Sequence, residues 1–513
     1  MTGRAIIVGS GVAGAAAAQI LLERNLFEKV VMIEAGAAVK MAERRAWLDY
    51  LTRGVAPYDA SVDQPGEFEA DVKKFELRGS RLIAGGGSTV HWGGWCLRFK
   101  PEDFALGSSA GQAIDWPLSY NDLESFYASA ETFLSVAGDS SDDDPPRFGR
   151  AYPLPAVPFA QKDGPVAKAL KDLGISYSHL PIARNSNCVT TGTCKYCPVG
   201  GRYSATMTID ELAAKFPNSF ELKLRTPVTR ILMASKRRAY GIEYIDIRSG
   251  EVERLEAENV IVCAGAIESP KLLLLSADNQ WWPRGLGNDT GHVGRHLVSH
   301  PLLQVKGWLG SNTSRMHQEI DFPTLGSRHF DSQAEQPNGK MYFFRDDRAN
   351  ALSIEKSIYG ERWSKAQIDT ALEGRVAFSL NAFVEEFESP TNRVTIAPGF
   401  TRFGLSRTAI AYETSEITIR AKQRHALTLE KILRHMGCRD IVSNLANPRA
   451  DHSAGTCRMS SSAGEGVVDK NLRVHETDNV YVCSNAVMPN VAAVNPTLTL
   501  VALAIRFAQG MSA

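Results

Sequence analysis

The sequence predicts an α/β protein in which a parallel sheet is assembled from discontinuous segments and an α+β region contributes an antiparallel sheet. Two observations carry this prediction. Residues 4–36 alternate strand-like and helix-like apolar runs, and similar runs return near residue 225 and near residue 480. Between them lie short runs that alternate apolar and polar residues. Strands that alternate with helices predict a parallel sheet, whereas alternating short strands predict an antiparallel one.

The segment 4–36 has the pattern of a complete nucleotide-binding unit. Its first apolar run ends in three glycines with the spacing G-x-G-x-x-G, namely Gly9, Gly11 and Gly14. Glycines at this spacing allow a tight turn, close approach to a pyrophosphate and packing of the next helix on the strand. An alanine- and leucine-rich run follows and predicts that helix, with its N-terminus facing the phosphates. The segment therefore predicts a Rossmann-type dinucleotide site.

Glu34 narrows the choice of dinucleotide. It ends the second strand-like run, 20 residues after Gly14. A carboxylate there can accept hydrogen bonds from a ribose diol, whereas the 2′-phosphate of NADP would call for a basic residue. We therefore expect Glu34 to contact FAD or NAD rather than NADP.

Composition excludes several other classes of protein. The 513 residues suffice for two or more domains, and 57 basic against 57 acidic residues favour neither nucleic acid nor an anionic surface as partner. No apolar stretch is long enough to predict a transmembrane segment. The first strand begins within a few residues of Met1, so we expect no signal peptide, and a cytoplasmic location with reduced thiols.

The glycine-rich segment 78–104 predicts neither a regular helix nor an inner strand. Such a chain can run flush against a flat or charged ligand. Its bulky residues His91, Trp92 and Trp95 are unusual for a surface loop. This combination favours contact with the cofactor.

The opening unit followed by GGGSTVHW at residues 85–92 resembles the glucose-methanol-choline (GMC) family of flavoprotein oxidoreductases. In that family this loop runs along the flavin. The resemblance implies FAD as the cofactor, with contacts from Gly86, Gly87, Ser88, His91 and Trp92. In pyranose oxidases a histidine four residues after the corresponding glycine pair carries the flavin covalently, and His91 stands four residues after Gly87. Other members with a similar loop hold the flavin without a bond, so both forms of attachment stay open.

Three thiols, Cys188, Cys194 and Cys197, have the spacing C-x5-C-x2-C. Short loops of this kind can bring sulfurs to one metal or iron–sulfur centre, while zinc would require a fourth ligand, and none is placed nearby. The segment resembles the cluster-binding segment of bacterial FAD-dependent glucose, gluconate and fructose dehydrogenases, which implies a [3Fe-4S] cluster. It departs from that segment by having one cysteine in place of an adjacent pair and a longer last spacing. Buried structural thiols are the alternative.

The middle of the chain returns to the parallel sheet. A fully apolar strand ends on Gly265, and a leucine-rich helix follows. We expect Ala264, at the end of this strand, to contact the cofactor. Segment 291–301 then carries the spacing H-x3-H-x3-H, which would suit a metal on a helix face, although Gly294 argues against a helix.

Further elements are predicted from capping residues and periodicity. A helix should begin at an N-cap, Ser119, and an amphipathic helix should cover residues 417–437. Strands in residues 375–388 and 392–398 should form an antiparallel sheet. We expect the FAD-binding domain to comprise residues 1–114, 223–301 and 446–513, and the substrate-binding domain residues 115–222 and 302–445.

The last 65 residues carry the candidate reaction centre. DHSAGTCRM contains His452, and a neutral histidine can accept a hydroxyl proton while hydride leaves carbon for flavin N5. Asn495 and Pro496 predict the start of a helix, with asparagine as N-cap. The N-terminus of that helix would stabilise the negative charge of a reduced flavin.

These segments resemble the GMC C-terminal signature. The resemblance implies that His452 is the catalytic base, that Asn495 binds the substrate oxygen, and that Pro496 and Thr497 begin a helix aimed at the flavin. Many members have aspartate where this chain has Ser484 and Asn485, so Asn485 is expected at the cofactor without an ionic contact.

The resemblance implies FAD-dependent oxidation of a sugar, glycoside or polyol hydroxyl to a carbonyl, with electrons passed to a quinone or cytochrome. Dioxygen as acceptor would make the protein an oxidase that releases hydrogen peroxide. A non-catalytic flavin-binding assembly subunit is the alternative of another class. Related sugar dehydrogenases often have a leaderless catalytic subunit that is exported with a small accessory subunit, so periplasmic export with such a partner also stays open.

Overall fold

The computed structural model describes residues 3–39, 41, 43–53, 55–58, 67–71, 73–111, 114–160, 163–188, 197–309, 322–331, 340–346, 358–372, 376–401, 404–445 and 450–512. Its helices are α1 (Val12–Glu23), α2 (Arg44–Arg53), α3 (Leu106–Ala110), α4 (Tyr120–Phe133), α5 (Gly164–Asp172), α6 (Ala205–Lys215), α7 (Gly265–Leu275), α8 (Lys365–Leu372), α9 (Glu416–His435) and α10 (Thr497–Gly510). Its strands are β1 (Arg4–Val8), β2 (Lys29–Ile33), β3 (Phe68–Ala70), β4 (Val136–Gly138), β5 (Leu154–Pro155), β6 (Ser178–His179), β7 (Ile182–Ala183), β8 (Phe220–Lys223), β9 (Val228–Met233), β10 (Ala239–Ile245), β11 (Val252–Glu256), β12 (Asn259–Val262), β13 (Leu302–Leu309), β14 (Leu325–Ser327), β15 (Lys340–Asp346), β16 (Val376–Val384), β17 (Arg393–Phe400), β18 (Ser406–Ala411), β19 (Arg439–Asn444) and β20 (Val480–Val482).

A five-stranded parallel sheet in the order β20-β12-β1-β2-β8 forms the centre of the molecule. Its inner strands are almost entirely apolar and buried, as a parallel sheet covered by helices requires. Helix α1 connects β1 to β2 and packs against α6 and α10. The strands come from the two ends and the middle of the chain, so the prediction of an α/β fold assembled from discontinuous segments is confirmed.

A six-stranded antiparallel sheet in the order β19-β13-β16-β15-β14-β6 lies beside the parallel one. Successive side chains of a strand point to opposite faces. In β13, Leu303 and Val305 pack with Leu429 and Leu433 of α9 in a second apolar core. The intervening residue Gln304 therefore faces the other way, as does Leu302.

The predicted helices near residues 120 and 417 are confirmed. Ser119 caps α4, since its hydroxyl accepts a hydrogen bond from the Asp122 amide. The two predicted strands do not share one sheet, however. β16 belongs to the six-stranded sheet, whereas β17 pairs with β18 and β18 with β3, because their apolar residues Val394 and Ile410 pack in a separate small core with α7. The division into two domains stays a prediction.

No helix among the described residues combines the length and apolar composition that a membrane span requires.

Candidate active site

A cavity of about 630 Å³ lies at the carboxyl ends of the parallel strands and extends to the six-stranded sheet. Ligands of open α/β sheets bind at this edge. Most of the residues predicted to bind cofactor or substrate line the cavity: Gly9, Gly11, Glu34, Gly87, Ser88, His91, Trp92, Ala264, His452, Asn485, Asn495 and Thr497. Gly14, Gly86 and Pro496, which the structure also describes, are not among its lining residues.

The three glycines of the first motif differ in what surrounds them. Gly9 has a φ of +107°, and a Cβ there would lie 2.6 Å from the Cys263 carbonyl oxygen. A Cβ on Gly14 would lie 2.3 Å from the Gly9 oxygen, so only glycine allows α1 to start this close to β1. A Cβ on Gly11, by contrast, would meet nothing within 4 Å. The cavity therefore has free space directly at the N-terminus of α1, where backbone amides favour a phosphate.

Glu34 is fixed at the end of β2 by a set of short hydrogen bonds. Its Oε2 accepts from the amide and the hydroxyl of Ser10 at 3.0 and 2.8 Å, and its Oε1 accepts from the Gly36 amide at 2.8 Å. Burial raises the pKa of this carboxyl group, and the hydrogen bonds oppose that effect. The Glu34 carboxylate, which we predict to bind the ribose, is therefore held in one orientation on the cavity wall.

The glycine-rich loop packs directly on the first motif. Gly86 and Gly87 both have positive φ, and a short 3-10 turn covers Gly87–Val90. A Cβ on Gly87 would lie 3.0 Å from Gly11 Cα. The Gly86 amide donates to the Ser10 hydroxyl at 3.2 Å. Glycine is therefore required at Gly87 for the loop to approach α1 this closely.

His91 and Trp92 follow that turn on the cavity wall. His91 Nδ1 lies 2.8 Å from the Ser88 carbonyl oxygen, which can only accept a hydrogen bond. In the neutral ring the proton is therefore on Nδ1 and the lone pair is on Nε2. Trp92 Nε1 donates to the Tyr203 carbonyl oxygen at 2.8 Å, which fixes the indole.

His452 and Asn495, separated by 43 residues in the chain, are in direct contact. Asn495 Nδ2 lies 3.0 Å from His452 Nε2. The other imidazole nitrogen, Nδ1, lies 2.8 Å from Nδ1 of His300, whose Nε2 lies 2.8 Å from the Ala492 carbonyl oxygen. Both histidines line the cavity.

The environment keeps both rings uncharged. Burial lowers the pKa of His452 to about 4. Burial, with a further contribution from His452, lowers the pKa of His300 to about 3. Phe383 of β16 packs against both rings, with centroid distances of 5.4 Å to His300 and 4.9 Å to His452. His452 is therefore a neutral proton acceptor at neutral pH.

Asn495 does not act as the predicted N-cap. The capping residue of α10 is Pro496, whose carbonyl accepts from the Leu500 amide, and Asn495 makes no capping hydrogen bond. The prediction was wrong because the amide of Asn495 is used by His452 instead. Its Oδ1 and that of Asn485 are buried acceptors without a hydrogen-bond partner in the described part of the chain. A ligand that donates hydrogen bonds would satisfy them.

Sequence reasoning missed the side chains that the six-stranded sheet contributes. Gln304 and Asn381 face each other across β13 and β16, and Gln304 Nε2 donates to Asn381 Oδ1 at 2.9 Å. Both line the cavity on the same face of the sheet as Phe383. Strand alternation places them on that face, but nothing in the sequence indicates which face meets the cavity. His300 was seen only as one of three spaced histidines.

The three spaced histidines do not point to one common metal centre. His292 bonds to His296 at 3.1 Å, His296 lies 3.3 Å from Glu388, and His300 turns into the cavity. Gly294 has a φ of +84° and residues 291–301 are not helical. Within the described residues no group of three or more histidine, cysteine or carboxylate side chains has the arrangement of a metal site.

Of the three clustered cysteines, Cys188 is partly buried and Cys197 is buried, and both are free thiols. The Arg184 guanidinium lies 3.5 Å from Cys188 Sγ. Cys194 lies outside the described residues, so the cluster stays a prediction.

Known proteins place this geometry in context. Two family models described as GMC oxidoreductase match residues 4–302 and 392–504. The chain is 25% identical to the fructose dehydrogenase large subunit of Gluconobacter japonicus, over 99% of this chain and 97% of that one. It is also 25% identical to 6'''-hydroxyparomomycin C oxidase of Streptomyces lividus, over 99% and 90% of the two chains. The crystal structure of pyridoxine 4-oxidase from Mesorbium loti superimposes with a TM-score of 0.67 at 18% identity, over 99% of both chains, which is a likeness of fold.

These relatives are oxidoreductases that act on CH–OH groups, and the matched family binds FAD. Since the matching models cover most of the chain, this protein belongs to the GMC oxidoreductase family.

Proposed function

We propose that the cavity oxidises a hydroxyl group of a sugar, glycoside or polyol to a carbonyl, with FAD as the cofactor. The observation that carries the proposal is the contact of His452 Nε2 with Asn495 Nδ2 at 3.0 Å, on the wall of the cavity that also contains the glycine motif. A proton acceptor and a hydrogen-bond donor thereby meet at one position beside a nucleotide site.

The residues around the cavity fit FAD. Free space above Gly11 would accommodate the pyrophosphate, Glu34 would hold the ribose, and Ala264 and Asn485 would contact the rest of the molecule. The partnerless Oδ1 of Asn485 supports this assignment, because a buried acceptor needs a donor. When bound, FAD supplies the two-electron acceptor for the hydride that leaves the carbinol carbon.

His452 acts as the general base. A hydroxyl oxygen placed between the two side chains can donate its proton to His452 Nε2 and accept a hydrogen bond from Asn495 Nδ2. Because the pKa of His452 is about 4, the ring is ready to accept a proton at any pH well above that value. Asn495 orients the oxygen, and α10, which starts at Thr497, directs its positive end at the same region.

Gln304 and Asn381 support a substrate with several hydroxyl groups. Their carboxamides offer donors and acceptors about 6 to 7 Å along the strand from Phe383, since two residues of a strand span that length. A sugar can place a second hydroxyl there while the first is at His452. Relatives named for fructose and for a hydroxyparomomycin point to the same class of substrate.

FAD is held either covalently through His91 or without a bond. In the neutral ring Nε2 carries the lone pair, and a nitrogen with a lone pair can form a bond to carbon. Acid precipitation separates the two alternatives: a covalently held flavin stays in the pellet, and a dissociable one remains in the supernatant.

The electron acceptor distinguishes a dehydrogenase from an oxidase. Release of hydrogen peroxide in air with a sugar substrate would identify dioxygen as the acceptor. Its absence, together with reduction of an added quinone or cytochrome, would identify a dehydrogenase.

The cluster and the accessory subunit are tested separately. Iron analysis and the absorption spectrum before and after dithionite distinguish a [3Fe-4S] cluster on Cys188, Cys194 and Cys197 from free thiols. One relative is named as a large subunit, which motivates a search for a small partner that co-purifies and directs export.

The substitution His452→Ala tests the proposed function. We expect the rate of flavin reduction by substrate in anaerobic stopped flow to fall by roughly two to four orders of magnitude, with flavin still bound. His435→Ala, at an exposed position on α9, is the matched control and should reduce normally. Near-normal reduction in His452→Ala would overturn the assignment. If no sugar or polyol ever bleaches the flavin of the unmodified protein, the non-catalytic alternative gains instead.

A further inference from the structure

We propose that His300 is a positioning residue that fixes the tautomer of His452, so that the nitrogen facing the substrate always carries the lone pair. This inference rests on the proposed function only in naming His452 as the base. It assigns a role to a residue that lies 152 positions earlier in the chain.

The direction of each hydrogen bond follows from one fixed acceptor. The Ala492 carbonyl can only accept, so His300 Nε2 carries a proton. In a neutral ring His300 Nδ1 is then an acceptor. The proton between the two rings, whose Nδ1 atoms are 2.8 Å apart, must therefore belong to His452 Nδ1. It follows that His452 Nε2 carries the lone pair and accepts from Asn495 Nδ2.

The other tautomer of His452 conflicts with both neighbours. It would set two lone pairs against each other at the contact with His300. In the amide orientation of the structure it would also set two N–H groups against each other at the contact with Asn495. Reversing the whole chain of bonds would leave the Ala492 carbonyl without its donor in a buried site. The low pKa values of both rings support the neutral state on which this reasoning depends.

The backbone holds the two rings in register. Val298 and Ala454 exchange two hydrogen bonds, at 3.1 and 2.9 Å, in an antiparallel bridge. His300 lies two residues after Val298, and His452 lies two residues before Ala454. An antiparallel bridge places such a pair opposite each other on one face. The contact between the rings is therefore set by the pairing of two backbone segments.

The fixed acceptor is itself held in place. Ala492 has a φ of +51°, in the left-handed region. Its amide donates to Asn490 Oδ1 at 3.2 Å, and Asn490 Nδ2 donates to the Asp103 carbonyl at 2.8 Å. Asn490 thus stabilises the turn that presents the Ala492 carbonyl to His300.

The first test reads the tautomer directly. In the flavin-loaded protein with ¹⁵N-labelled histidine, two-bond ¹H–¹⁵N correlation spectra distinguish the two tautomers, and the His452 signals are assigned by their loss in His452→Ala. We expect His452 protonated at Nδ1 in the unmodified protein. A ring protonated at Nε2 would overturn the proposal, whatever the variants do.

The second test compares His300→Ala with His300→Asn. His300→Ala removes the acceptor, so we expect flavin reduction to slow by about ten- to hundredfold with little change in the substrate dissociation constant, and the His452 spectrum to gain the other tautomer. His300→Asn places a carbonyl oxygen near the position of Nδ1 and should restore most of the lost rate. Equal loss of rate in both variants with an unchanged tautomer would refute the role.

The failure of this inference and of the proposed function can be told apart. If no polyol reduces the flavin, the proposed function fails, while the spectrum of His452 still reports whether His300 sets the tautomer. If His300→Ala does not fold, the spectrum of the unmodified protein and the rate of His300→Asn still decide the question.

Discussion

The substitution Gly11→Ala should separate cofactor binding from folding, because the structure gives the three glycines different surroundings. A methyl group on Gly11 meets no protein atom within 4 Å and enters the cavity instead. Gly11 has a φ of −67°, which alanine adopts without strain. Gly14→Ala is the matched comparison, since its methyl group would lie 2.3 Å from the Gly9 carbonyl oxygen.

The expected magnitudes follow from these contacts. In Gly11→Ala a phosphate can no longer approach the first amides of α1. Loss of one charge-assisted hydrogen bond, worth about 1.5–3 kcal/mol, weakens FAD binding about ten- to 150-fold. Folding should change by less than about 1 kcal/mol, the cost of a poorer N-cap. In Gly14→Ala the helix must move away from β1, and such overpacking costs about 1–3 kcal/mol of folding free energy.

The assay combines flavin titration of the apoprotein with thermal unfolding in the absence of FAD. Gly11→Ala should show a raised dissociation constant and an almost unchanged unfolding temperature. Gly14→Ala should show a lowered unfolding temperature. Native FAD affinity in Gly11→Ala would refute the reasoning that the pyrophosphate lies above this residue.

Three further predictions concern the pH dependence of the rate, the pH dependence of stability, and substrate choice. Burial lowers the pKa of His452 from 6.5 to about 4. The rate of flavin reduction in stopped flow should therefore be constant above about pH 5 and fall as the pH drops through 4. A fall in this rate near pH 6.5 would contradict the prediction. At His452 the unfolded chain binds a proton that the folded chain lacks between pH 6.5 and about 4. The contribution of this residue to the free energy of unfolding, taken as the difference from His452→Ala in denaturant titrations, should therefore decrease as pH is lowered through that window. Asn381→Ala should raise KM for a polyol about tenfold and leave KM for a simple primary alcohol nearly unchanged. Asn218→Ala, at an exposed position outside the cavity lining, is the control. An equal effect of Asn381→Ala on both substrates would argue against a second hydroxyl at this position.

The dinucleotide unit could be predicted from the sequence because its parts are local. A strand, a glycine turn and a helix follow one another within residues 4–36, and each is decided by neighbours a few positions away. The approximate start of α10 is local in the same sense, although its N-cap is Pro496 and not the predicted Asn495. The family resemblance supplied His452 and Asn495 as a pair, and the structure brings them into contact.

The sequence by itself therefore determined the fold class, the nucleotide motif and the position of the candidate base. Only the tertiary structure decided what surrounds that base. In the structure Asn495 contacts His452 and does not cap a helix. His300, 152 residues earlier in the chain than His452, lies beside the His452 ring. Such contacts depend on which backbone segments pair and on which face of the sheet meets the cavity. The local periodicity of the sequence does not predict either of these.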